Sequence, residues 1–103
     1  MKAAVYCHTS HRSTTRTLAA QEARCRLVAQ QRGASEIVTV TDQGAPRAAQ
    51  RPGLTRLLRL VHSGEVGLVV VDEPPRLSRR LADLREISRE VSGAGASLVF
   101  VSP

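Results

Sequence analysis

The chain has 103 residues, 42% of them apolar, with Tyr6 and Phe100 as its only aromatic side chains and a formal charge of +6. This length predicts one domain, residues 1–103, with a core of Val, Leu, Ile and Ala. No run approaches the ~18 apolar residues of a membrane span, no signal-peptide pattern opens the chain, and the scarcity of aromatics disfavours a base-stacking binder of single strands.

Residues 2–7 read as a buried strand that stops at the polar run His8-Thr9-Ser10-His11-Arg12. Residues 14–32 predict a helix, with Leu18, Cys25, Val28 and Ala29 on one side and Gly33 as its stop. Gln21 lies within that apolar stripe. It is either a boundary residue or a group that hydrogen-bonds the loop after strand one. Cys7 and Cys25 lack C-x-x-C spacing and read as reduced core residues of a cytoplasmic protein.

Residues 36–41 form a β-branched strand, followed by the polar loop "TDQGAPRAAQR". Pro52 suits the first turn of a helix whose stripe is Leu54, Leu57, Leu58 and Val61. Residues 66–71, "VGLVVV", predict a central strand covered on both faces, and "DEPPRLSRR" reads as a stiff turn. Leu81, Leu84, Ile87 and Val91 mark a further helix, and residues 97–101 a last strand.

Strands alternating with helices predict an α/β fold: three layers, a mainly parallel four-stranded sheet in β-α-β-α-β-α-β order, helices on both faces. Ligands bind such sheets beyond the carboxyl ends of the strands. The loops at that edge carry Ser10, His8, His11 and Arg12; Asp42, Arg47 and Arg51; and Asp72, Glu73, Arg76 and Arg79. Arg76 and Arg79, three apart, are expected to project to one side. A hydroxyl among guanidinium groups suits attack on a phosphodiester, because fixed cations stabilise the charge that develops on the non-bridging oxygens. Every basic residue except Lys2 is arginine, whose planar fork matches phosphate, so nucleic acid is the expected partner.

Several of these stretches, agreeing in register from Met1 to Pro103, are similar to the catalytic domain of serine recombinases, the resolvase/invertase family. "VYCHTS" resembles the family's opening Tyr-x-Arg-Val-Ser, "AAQEARC" its first helix, and "TDQG" and "QRPGL" its mobile loop and second helix start. "GEVGLVVVDEPPRLSRRLADL" resembles its third strand and Asp-Arg-Leu-Ser-Arg signature. The resemblance implies a serine nucleophile that cleaves and rejoins DNA through a 5′-phosphoseryl link, with neither cofactor nor metal. By position, Ser10 would be the nucleophile, Arg76 and Arg79 would hold the phosphate with help from Arg51, and Gln21 and Asp42 would support the site. Tyr6 matches the family's buried aromatic.

His8 stands where the family has arginine, Pro75 where it has an acid before Arg76, and Ala45-Pro46 where its loop has a small hydroxyl and glycine. These departures imply impaired activity. The alternative is a non-catalytic resolvase-like module that binds a partner, such as a full-length recombinase, and regulates it. A flavodoxin-like domain of other function is a third reading, without the glycine-rich loop of a nucleotide binder. The 103 residues hold neither the family's long dimerisation helix nor its DNA-reading domain. Weak, salt-sensitive and sequence-blind binding to double-stranded DNA is therefore expected, with at most weak self-association.

Overall fold

A computed structural model describes residues 1–9, 15–44 and 51–102. Four strands are joined by helices: β1 (Lys2–Thr9), α1 (Thr15–Gln31), β2 (Glu36–Gln43), α2 (Pro52–His62), β3 (Leu68–Val71), α3 (Pro74–Leu77), α4 (Leu81–Gly93) and β4 (Ser97–Phe100). All neighbouring strands are parallel, in the order β2-β1-β3-β4. The sheet is therefore the expected α/β arrangement, with one added element. The segment read as a stiff turn contains α3, a single helical turn. Pro74 and Pro75 occupy its first positions, where a missing N–H forfeits no helical bond.

Side chains of β1 alternate between two cores. Ala3, Val5 and Cys7 face α1 with Cys25, Ala29, Leu68 and Val70. Ala4 and Tyr6 face α2, α3 and α4 with Leu54, Leu57, Leu77, Ile87 and Val91. β3 is buried at every residue, as its unbroken apolar run requires, and Gly33 turns the chain after α1 at φ +87°.

β1 pairs with β2 along its whole length, but with β3 only from Ala3 to Tyr6. It therefore runs two residues further than the sequence pattern indicates. His8 lies in β1 and Asp42 in β2, as register partners, rather than in the loops that follow. Ladder pairing explains this, because it extends strands past the end of their apolar runs. The chain order reverses between β1 and β3, and at such a switch point a parallel sheet opens a crevice at its carboxyl edge.

Candidate active site

At the carboxyl end of β2, the Asp42 carboxylate closes a three-way junction. The Tyr6 hydroxyl donates to its Oδ2 at 2.7 Å, the Gly53 N–H to Oδ1 at 2.8 Å, and the Leu54 N–H to Oδ2 at 2.9 Å. Pro52 has no N–H to satisfy, so Asp42 caps the remaining free donors of the first turn and opposes the positive end of the α2 dipole. Gly53 is required by this closeness, since a Cβ there would stand 2.8 Å from both Asp42 Oδ2 and the Thr41 carbonyl oxygen. Burial first, and then the hydrogen bond to Asp42, raises the Tyr6 pKa above its ordinary 10.0. The phenol is therefore a permanent donor.

Arg51 precedes α2, so the Asp42 junction also places its backbone. Its side chain is only 4% exposed. One guanidinium nitrogen donates to the Leu77 carbonyl oxygen, and the other stands 3.4 Å from His8 Nδ1. A guanidinium cannot accept, so the His8 contact is a hydrogen bond only when Nδ1 is unprotonated. Arg51 thus links the end of β1, the start of α2 and the end of α3.

Gln21, fully buried on α1, makes a two-point contact with the main chain of His8. The His8 N–H donates to Oε1 at 3.1 Å, and the Gln21 amide donates to the His8 carbonyl oxygen at 2.9 Å. β3 stops opposite Tyr6, so it cannot pair with His8. The Gln21 amide takes the place of the missing strand, two residues before Ser10. Gln21 is therefore neither a boundary residue nor, among the described residues, a partner of the loop after β1: it bonds the strand itself at His8.

Arg76 leaves α3 half-buried. Its Nε is buried and has no hydrogen-bond partner among the described residues, although Glu73 Oε1 lies 3.6 Å away. Arg79 is exposed and does not share a helical face with Arg76, because Ser78 is extended at φ −164° and ends α3 between them. The expected i,i+3 projection is therefore corrected. Ser78 instead serves the next helix, its Oγ accepting the Arg80 N–H at 3.1 Å and facing Asp83 Oδ2 at 3.3 Å.

Arg24 was not legible as part of the site. From α1 its Nε donates to Asp72 Oδ1 at 2.9 Å and its Nη2 to Oδ2 at 2.7 Å. The bond to Arg24, with a smaller contribution from Arg76, holds the Asp72 carboxyl below its ordinary 3.8. Ser10, His11, Arg12, Ala45, Pro46 and Arg47 lie outside the described residues. Among the described residues no three His, Cys, Asp or Glu side chains cluster as metal ligands.

The profile of the family described as resolvase, N-terminal domain, matches residues 3–103. This chain belongs to the resolvase N-terminal domain family. A comparison with curated proteins returned no match. Solved structures share the fold. The C-terminal catalytic domain of ISC1926 TnpA, an IS607-like serine recombinase, superposes with a TM-score of 0.88 at 24% identity, over 98% of this chain and 67% of that one. The N-terminal catalytic domain of TP901-1 integrase gives 0.81 at 22% identity, over 98% and 77%. A resolvase family site-specific recombinase from Streptococcus pneumoniae gives 0.80 at 21%, over 98% and 72%. In this resolvase-family domain the position of the expected acid, Pro75, is the second residue of α3. The nearby carboxylates Asp72 and Glu73 flank the turn from the strand side. No helix among the described residues is long and apolar enough to cross a membrane.

Proposed function

We propose that residues 1–103 form one serine recombinase catalytic domain with reduced activity, acting on double-stranded DNA in the cytoplasm. Ser10 Oγ attacks a backbone phosphorus. The Oγ–P bond forms, the P–O3′ bond breaks, and the serine proton ends on the 3′-hydroxyl. The 5′-phosphoseryl ester conserves the bond for rejoining. Arg76 and Arg79 hold the non-bridging oxygens. Arg51 supports them as a buried brace, while Gln21, Asp42, His8 and Tyr6 shape the floor of the site.

The observation that carries this reading is the placement of Arg51 between the His8 imidazole and the Leu77 carbonyl oxygen. It ties the strand that leads to Ser10 to the turn that bears Arg76. His8 in place of an arginine leaves one fewer fixed cation, and losing one group of this kind costs on the order of 10²–10³ in rate. Binding of DNA by these 103 residues, which carry a net charge of +6, is electrostatic and weak, and their pairing with a second copy or with a full-length recombinase is weak as well.

The test is incubation of the chain with supercoiled plasmid at low salt, followed by denaturing electrophoresis. Nicked DNA carrying covalent protein, abolished by Ser10→Ala, is expected. Adducts that appear only after His8→Arg and Pro75→Asp would favour the non-catalytic, partner-binding reading. No adduct even then would overturn the recombinase chemistry.

A further inference from the structure

Resting on the reading above, we propose that Arg24 and Asp72 act as a positioning clamp for Arg76, in place of the acid absent at position 75. The segment from Asp72 to Leu77 is held at both ends by arginines from elsewhere in the chain. At its start, Asp72 is buried, its carboxylate is gripped by Arg24 through two N–H donors at 2.9 and 2.7 Å, and its carbonyl oxygen accepts the Ser102 N–H at 2.8 Å. At its end, Leu77 is fully buried and its carbonyl oxygen accepts from Arg51.

Between these points Pro74 and Pro75 have fixed φ, and the Arg76 N–H donates to the Glu73 carbonyl oxygen at 3.0 Å. Little backbone freedom is left, so the base of the Arg76 side chain is set by the two anchors. Arg24 takes one N–H bond to each Asp72 oxygen, whereas Arg76 Nε makes no hydrogen bond among the described residues and has Glu73 Oε1 at 3.6 Å as its near carboxylate. An acid at position 75 would orient Arg76 from the adjacent residue. Here the anchor sits at the strand end, and the proline pair transmits it.

Amide exchange measured by NMR tests the clamp without reference to catalysis. Arg24→Ala and Asp72→Asn are expected to speed exchange of the Arg76 and Ser78 N–H groups about tenfold, as local opening of α3 becomes easier by one charged hydrogen bond. Arg26→Ala, which removes a neighbouring ion pair to Glu22, leaves them unchanged. Arg24→Lys keeps the charge, loses the fork and gives the same readout should Arg24→Ala fail to fold. In the plasmid assay the adduct rate at saturating DNA falls in Arg24→Ala while the half-saturating DNA concentration stays the same, and Pro75→Asp restores the rate. Unchanged exchange in Arg24→Ala, Arg24→Lys and Asp72→Asn overturns the clamp even if Ser10 forms adducts. Faster exchange without any wild-type adduct supports the clamp and contradicts the catalytic reading instead.

Discussion

Arg51 donates to the carbonyl oxygen of Leu77, 26 residues further along the chain, from a guanidinium buried beside the His8 imidazole. A buried cation bound to a main-chain carbonyl is a brace. It joins the connections that follow β2 and β3, the two strands on either side of β1. Removing it leaves the Leu77 carbonyl oxygen without its donor and a cavity the size of an arginine side chain. Arg51→Ala is therefore expected to lower unfolding stability by about 2–4 kcal/mol in urea titration, and Arg51→Lys by less.

The Asp42 junction separates two contributions. Tyr6→Phe removes one hydrogen bond and leaves Asp42 its two backbone donors, so a loss of about 1 kcal/mol is expected. Asp42→Ala strips the cap from α2 and orphans a buried phenol, for a loss of about 2–4 kcal/mol. Equal losses in the two variants, measured by urea unfolding, would contradict this division.

Gln21→Leu keeps the bulk but removes two buried hydrogen bonds to the main chain of His8. A loss of about 2–4 kcal/mol is expected, together with faster amide exchange at His8. Gly53→Ala forces a methyl group against Asp42 and the Thr41 carbonyl oxygen, and is expected to cost about 1–3 kcal/mol, read as a lowered Tm.

Burial pushes the Cys7 and Cys25 thiols from 9.0 up to about 12. Iodoacetamide at pH 8 is expected to modify neither in the folded protein and both after denaturation. Between about pH 9 and 12 the unfolded chain releases thiol protons that the folded chain keeps, so stability falls as pH rises through that window. The Cys7→Ala/Cys25→Ala double variant is expected to show a shallower alkaline decline.

Asp72 has the opposite sign. Its folded pKa is depressed by Arg24, so its contribution is complete above about pH 4 and is lost as pH falls through the depressed value. Arg24 is half exposed, which limits the effect to about 1–2 kcal/mol. Asp72→Asn is expected to flatten the acid limb of the stability curve by that amount.

Much of the fold was legible because apolar periodicity reports burial. The runs at 2–7 and 36–41 and the helical stripes fall inside the observed elements, while the run at 66–71 overshoots β3, which starts only at Leu68. The strand ends were not legible, since pairing carries His8 and Asp42 into the ladder although neither is apolar. Gln21 stood out because a polar residue in a buried stripe needs a partner. Arg24 did not, because on a helix rich in charged residues nothing local distinguishes the one whose partner lies 48 residues away. The shared helical face expected for Arg76 and Arg79 is absent because spacing by three implies one only within a continuous helix, and Ser78 interrupts it.

The most direct test of the recombinase reading is peptide mass spectrometry after incubation with DNA and exhaustive nuclease digestion. The account predicts a nucleotide joined through its 5′-phosphate to Ser10, and to no other residue. A nucleotide on a different side chain, or an unmodified Ser10 in the natural chain, would contradict it, with modification confined to the His8→Arg/Pro75→Asp variant favouring the non-catalytic reading.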